Sequence, residues 1–383
     1  MSLFKVYPLY EMTPSHAKGC YVFDKKGNKF LDLYGGHAVI SIGHSHPNYV
    51  SSLSNQLNKI GFYSNYIIND LQELVAKKLI AQSNCENYEL FMCSSGAEAN
   101  ENALQIASFH NNKSRIIAFK NSFHGRSNAA LSATDNQSIK KKLNTKIDVT
   151  FLKFNDKESL INEVSKSDVS AIIFESIQGV GGLDEPDTEF VKFLRETCDK
   201  YDICLIADEV QSGFCRTGKW FSYQHFNVSP DVVMVAKALG NGVPIGACLA
   251  KGNAANVLKA GMHGSTFGGN YLSTSVGLCI LDIMRDSHTC QHVKEISSIM
   301  KDEMHLKLKG LKSVSDIRIY GMMIGIELNC NCTELVVKAL EKGLVLNVTK
   351  EKIIRLLPPL ICEKKHILSI VNIIEELIKD NYD

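Results

Sequence analysis

The chain has 383 residues, more than one hydrophobic core usually serves, with 45% hydrophobic and 22% charged residues. These values predict a globular protein of two cooperating domains and exclude disorder, collagen and a disulfide scaffold. Its 42 Lys and Arg balance 41 Asp and Glu at a formal net charge of +1, so nucleic acid is not an expected partner.

Residues 1–10 carry neither a basic region followed by an apolar run nor a cleavage signal, and no apolar stretch reaches the length of a membrane span. A cytoplasmic, unprocessed chain with no membrane contact is expected. The twelve cysteines are scattered, and the near pair Cys330 and Cys332 lacks zinc-site spacing, so reduced thiols and no metal are expected. A turn signal over Asp24-Lys-Lys-Gly-Asn28 predicts an N-terminal hairpin. From residue 88 onward, short β-rich runs at 88–93, 115–119, 149–152, 171–175, 203–207, 232–236 and 247–250 alternate with helix-like stretches such as 98–110 and 189–201. Near-continuous apolarity predicts strands buried on both faces of a parallel sheet, joined by crossover helices. After about Met284 helices mix with short strands. The expected division is a large α/β domain over 46–275 and a smaller α+β domain built from 1–45 and 276–383.

In an open parallel sheet, ligands sit beyond the carboxyl ends of the strands. Three segments place polar residues there: Cys204-Leu-Ile-Ala-Asp208, Val232-Val-Met-Val-Ala-Lys237 and Leu90-Phe-Met-Cys-Ser-Ser-Gly96. A desolvated lysine at such a site has a lowered pKa and attacks carbonyls, although a lysine snorkelling out at a strand end is the plainer explanation of Lys237 taken alone. Lys251 follows another strand but lacks the glycine-rich segment 240–246 that follows Lys237. Asp208 beside such a lysine suits the pyridine nitrogen of pyridoxal phosphate. Alone, Asp208 and Glu209 fit a magnesium site or a helix start as well. The small residues Ser94-Ser-Gly-Ala-Glu-Ala-Asn100 open a helix whose free amides suit a phosphate, or merely cap it. Phe123-His-Gly-Arg126 sets a ring for stacking beside a guanidinium for a carboxylate.

Taken together, Ser95-Gly-Ala-Glu-Ala-Asn100, Phe123-His-Gly-Arg126, Glu175-Ser-Ile-Gln-Gly179, Asp208-Glu-Val-Gln211, Lys237-Ala-Leu-Gly-Asn-Gly-Val-Pro-Ile-Gly246, Gly264-Ser-Thr-Phe-Gly-Gly-Asn270 and Arg355-Leu-Leu-Pro-Pro359 resemble, in order and spacing, the class III aminotransferases of fold type I. The resemblance covers nearly the whole chain. It implies the fold type I architecture of pyridoxal-phosphate enzymes, with a mostly parallel central sheet in the large domain. Lys237 would then hold the cofactor as a Schiff base and move the proton, Asp208 would meet the ring nitrogen, and Val210 and Phe123 would flank the ring. Gln211 would approach the phenolic oxygen. Ser95, Gly96 and Ala97 would cradle the phosphate, helped by Thr266 from the other subunit of a homodimer. Arg126 and Arg355 resemble the family's two carboxylate-binding arginines.

Within that family the 35–47 segment and the Phe123-His-Gly-Arg126 variant are most similar to the branch acting on N-acylornithines, with 2-oxoglutarate and glutamate as the other substrate pair. Ornithine and other ω-amino acids are the alternative substrates, and a non-catalytic cofactor-binding regulator is a distant one. One departure stands out: where the family pattern has Gln-Gly-Glu, this chain has Gln178-Gly179-Val180. The missing glutamate pairs, in close relatives, with the arginine matching Arg355. Either Arg355 stands uncovered, which favours a donor with a second carboxylate, succinyl over acetyl, or another residue or a water fills the gap left by the glutamate.

Overall fold

The computed structural model describes residues 3–85 and 87–383. Three sheets organise it. Near the amino terminus, β1 (Pro14–Lys18), β2 (Tyr21–Asp24) and β3 (Lys29–Asp32) form an antiparallel meander, the predicted 24–28 turn joining the last two.

The seven strands of the central sheet are β4 (Tyr88–Cys93), β5 (Arg115–Phe119), β6 (Val149–Leu152), β7 (Val169–Glu175), β8 (Cys204–Asp208), β9 (Val232–Val235) and β10 (Gly246–Lys251). Their order is β4-β10-β9-β8-β7-β5-β6. All seven predicted strands are present. Every residue of β5, β7, β8 and β9 is buried, which is why these segments read as unbroken apolar runs. The pairs from β9 through β6 are parallel, with crossover helices such as Gly96–Asn111 and Thr188–Tyr201. The strand predicted over 247–250 departs from the parallel pattern, because β10 runs antiparallel to both β9 and β4. Only residues 236–245 separate β9 from β10, too little chain for a helical crossover.

The third sheet, in the C-terminal part, has the order β11 (Val314–Tyr320), β12 (Met323–Leu328), β15 (Ile353–Leu356) and β14 (Asn347–Thr349). The two-residue β13 (Leu344–Val345) leaves it and pairs parallel with β3, Leu344 opposite Leu31 and Val345 opposite Asp32. Strands from near both chain ends thus share one sheet.

Candidate active site

β9 delivers Lys237. After Val235 the chain enters a short 3-10 turn, Lys237–Leu239, whose first residue has φ +45°, a left-handed conformation that costs a residue with a Cβ. The amides of Gly240 and Asn241 donate to the Lys237 carbonyl at 2.9 and 3.1 Å and hold the turn. Gly240 is obligatory here, since a Cβ would meet the Val243 carbonyl oxygen at 1.9 Å. Asn241 then clamps the 41–43 segment: its Oδ1 accepts from the Ser41 and Ile42 amides at 2.7 and 3.2 Å. Burial lowers the Lys237 ammonium from its ordinary 10.5 to about 8; Asp208 and Glu175 oppose that shift and Arg355 adds to it.

β8 ends on Asp208, level with Glu175 on the neighbouring β7. Asp208 Oδ2 accepts from His124 Nδ1 at 2.7 Å and Asn100 Nδ2 at 3.0 Å, while Oδ1 accepts from the Val210 amide at 3.0 Å. Glu209 turns the other way and is filled by donors, including the Ser222 and Tyr223 amides at 2.8 Å. The adjacent carboxylates therefore do not face one ion. Burial drives the Glu175 carboxyl up to about 7, aided by Asp208 and opposed by His124.

At the head of helix Gly96–Asn111, the Ser95 hydroxyl caps by accepting from the Glu98 amide at 3.2 Å, and Glu98 Oε2 accepts from the Ser94 amide at 2.6 Å. The first-turn amides of Gly96 and Ala97 have no intrahelical acceptor. A Cβ on Gly96 would strike Val210 Cγ1 at 2.6 Å, so this glycine lets the helix tip approach the turn after Asp208.

These pieces enclose a cavity of about 260 Å³ lined by Gly96, Ala97, Phe123, Arg126, Val180, Asp208, Val210, Gln211 and Lys237, together with Asn100, His124 and Glu175. Ser95 sits beside it at the cap. Arg355, on β15, reaches the backbone next to Val180 of the cavity wall: its guanidinium donates to the Gly179 carbonyl, to Asn347 Oδ1 at 2.7 Å and to His37 Nδ1 at 3.3 Å. The expectation of an uncovered Arg355 is thus corrected. Neutral acceptors take the place of the missing glutamate; among the described residues no carboxylate bonds it and its Nε has no partner. Burial lowers Arg355 to about 10 and His37 to about 4, the latter with help from Arg355, so His37 is neutral and accepts from the guanidinium. Thr266 does not join this group. It is exposed on a loop that lines a separate cavity of about 630 Å³ with Phe62, Tyr66 and His263.

A model of the family described as aminotransferase class-III matches residues 5–378. The chain belongs to the class-III aminotransferases. It is 40% identical to the acetylornithine aminotransferase of Nitrosomonas europaea over 98% of this chain and 97% of that protein. The acetylornithine aminotransferase of Aquifex aeolicus is 38% identical, over 94% and 95% of the two chains. Among solved structures, the ornithine aminotransferase of Toxoplasma gondii superposes with a TM-score of 0.94 at 26% identity, over 99% and 93% of the chains.

As a class-III aminotransferase the protein uses pyridoxal phosphate, and the site fits that group. Lys237, the carboxyls of Asp208 and Glu175, and the helix amino terminus at Gly96 and Ala97 all line the cavity. Three buried atoms there, Asn100 Oδ1, His124 Nε2 and Gln211 Oε1, have no partner among the described residues, as a polar ligand requires.

Sequence reasoning left several residues of this aminotransferase site without a role. His124 and Asn100 lay inside quoted motifs, yet their bonds to Asp208 join segments 84 and 108 residues apart. Glu175 ends a predicted strand just as Asp208 does, and the same strand-end rule could have found it. His37 and Asn347 gave no signal, because only the pairing of β14 with β15 brings Asn347 to Arg355.

Proposed function

We propose that this aminotransferase moves the terminal (δ) amino group of an N-acylornithine, acetyl or succinyl, to 2-oxoglutarate, in the route to arginine. The observation that carries the reading is the pair of guanidinium groups, Arg126 on the wall of the Lys237 cavity and Arg355, close enough to act on the Lys237 charge. Two cations suit a donor and an acceptor that both bring carboxylates. The acetylornithine aminotransferases that resemble the whole chain at 38–40% identity support the same substrate class. Bound there, the cofactor supplies an electron sink. Lys237 would hold it through Nζ and move a proton from the substrate carbon. Asp208, oriented by His124 and Asn100, would face the ring nitrogen. Phe123 and Val210 would flank the ring, Gln211 would approach the phenolic oxygen, and Ser95, Gly96 and Ala97 would take the phosphate. A donor panel with 2-oxoglutarate tests the reading: acylornithines should give the highest kcat/KM, and a higher value for ornithine or 4-aminobutyrate would overturn it.

A homodimer with a shared active site is part of this proposal. Phe62, Tyr66, Ile68 and Phe267 are exposed apolar side chains near Thr266, with the Phe62 and Phe267 rings 5.5 Å apart. Such a patch favours a second copy over water, and it would bring Thr266 to the partner's phosphate. We also place the domain limits near 45 and 275, which limited proteolysis checks. A cytoplasmic location suits twelve free thiols and is checked by cell fractionation. Among the described residues, no helix is long and apolar enough to cross a membrane.

A further inference from the structure

Two couples of thiols lie outside the Lys237 cavity. Cys20 and Cys362, with sulfurs 3.6 Å apart, are buried, and the Cys362 thiol is held well above its ordinary value by Cys20 and by burial. That couple is shielded from solvent. Cys290 and Cys215 differ, with sulfurs only 2.9 Å apart and Cys290 half-buried. Cys290 is the second residue of helix Thr289–Leu308, a helix with no acidic residue in its first turn. The Cys290 S–H donates to the Cys215 sulfur; once that proton is lost, the Cys215 S–H can turn to the thiolate, which the helix amino terminus and Lys294 one turn on also favour. Its pKa is accordingly lowered, although burial opposes the shift.

We propose that Cys290 and Cys215 form a reversible disulfide when the enzyme meets a peroxide. The Cys290 thiolate attacks the O–O bond, giving a sulfenic acid and a hydroxide that leaves as water after taking a proton. Cys215 sulfur then attacks Cys290 sulfur, and the hydroxyl departs with the Cys215 proton as a second water. Two thiols lose two electrons and one peroxide becomes two waters.

The bridge would fall on a seam. Cys215 lies in the segment that follows Asp208, and its neighbour Arg216 donates to the carbonyls of Met322, at 3.2 Å, and Pro358, while the Met322 amide donates back to the Arg216 carbonyl at 2.8 Å. A Cβ on Gly321 would meet that carbonyl at 2.4 Å, so the backbones already touch. The disulfide would tie this segment covalently to a helix of the C-terminal part, linking residues 75 apart in sequence and so restraining the unfolded chain.

The test treats the cofactor-loaded full chain with one equivalent of hydrogen peroxide, alkylates it under denaturing conditions and maps the peptides by mass. Expected is a Cys215-to-Cys290 peptide pair lighter by two hydrogens, lost on adding dithiothreitol, with Tm raised by a few degrees. Cys290→Ser should show neither effect, and Cys215→Ala should leave a sulfenic acid on Cys290 that dimedone traps. Should Cys215→Ala fail to fold, iodoacetamide labelling of the unmodified enzyme replaces it, and Cys290 must react faster than the exposed Cys330. The proposal is overturned if Cys290 remains alkylatable while Cys330 is oxidised, if Cys290 joins another cysteine, if it labels more slowly than Cys330, or if the linked protein melts at an unchanged temperature.

Discussion

His124 Nδ1 stands 2.7 Å from Asp208 Oδ2, and both side chains are buried. With its other ring nitrogen unpartnered among the described residues, the imidazole is oriented chiefly through that one bond. Removing a hydrogen bond to a charged group costs about 1.5–3 kcal/mol, a tenfold or larger change. His124→Ala should therefore weaken pyridoxal-phosphate retention by about tenfold and lower kcat, with Tm far less affected once cofactor is in excess. Equilibrium dialysis against cofactor checks this, and undiminished affinity would contradict it.

Lys237→Ala should abolish turnover, because among the described residues it removes the one amine that lines the cavity. Lys251, the rival read from the sequence, bonds the Ser229 carbonyl and hydroxyl at 3.0 and 2.6 Å. Lys251→Ala should keep the visible absorbance of the bound cofactor. Absorbance lost in Lys251→Ala and kept in a fully active Lys237→Ala would reverse the assignment.

The lowered Lys237 pKa sets a pH window. Below about 8 the amine of the cofactor-free protein is an ammonium and cannot attack the aldehyde, while above it the amine is neutral. The rate of cofactor uptake should rise with pH and level off just above 8. Linkage gives a matching sign: an unfolded lysine near 10.5 binds its proton more tightly, so this group makes the cofactor-free protein gain stability from about 8 to 10.5. Glu175, raised from 4.5 to about 7, acts oppositely: its contribution is fully present below 4.5 and is lost as pH rises through 7. Stopped-flow uptake and urea midpoints across pH 4–11 read both effects; a flat uptake profile would reject the first.

Thr266→Ala should weaken cofactor affinity about tenfold if its hydroxyl serves the partner's phosphate. The loss should track dimerisation, so cofactor affinity measured against protein concentration should show the two coupled. Affinity equal to that of the unmodified protein would remove Thr266 from the site.

Arg355 has neutral oxygens where close relatives are expected to offer a carboxylate. A donor that brings its own second carboxylate is better matched to that guanidinium. N-succinylornithine should show a higher kcat/KM than N-acetylornithine, and Val180→Glu should shift the preference toward the acetyl donor. The bonds from Asn347 and Gly179 reduce the margin, so a severalfold preference is expected. Equal kcat/KM for the two donors would sink the idea.

The central sheet was legible because its strands are buried on both faces and carry unbroken apolar runs, as Ala171 to Glu175 illustrates. Lys237 and Asp208 were legible because a charged residue at the end of such a run has few reasons to be there. The direction of β10 was not, since apolarity is the same whichever way a buried strand runs. Nor were the bonds of Arg355 to Asn347 and His37, which depend on pairings between distant parts of the chain. Thr266 was read only through resemblance, and a single copy of the chain leaves it in the open.

The parallel pairing of β3 with β13 bears on the order in which the protein can assemble. Asp32 leaves the ribosome more than three hundred residues ahead of Val345, its partner across the ladder. At a synthesis rate of about 5–20 residues per second, that interval is roughly 15–60 s. Throughout it β3 offers one unpaired edge, together with the apolar faces of Phe30 and Leu31, which are buried only in the finished fold. The first strands made are thus among the last to be completed, and a nascent chain of this aminotransferase carries an open sheet edge for most of its synthesis.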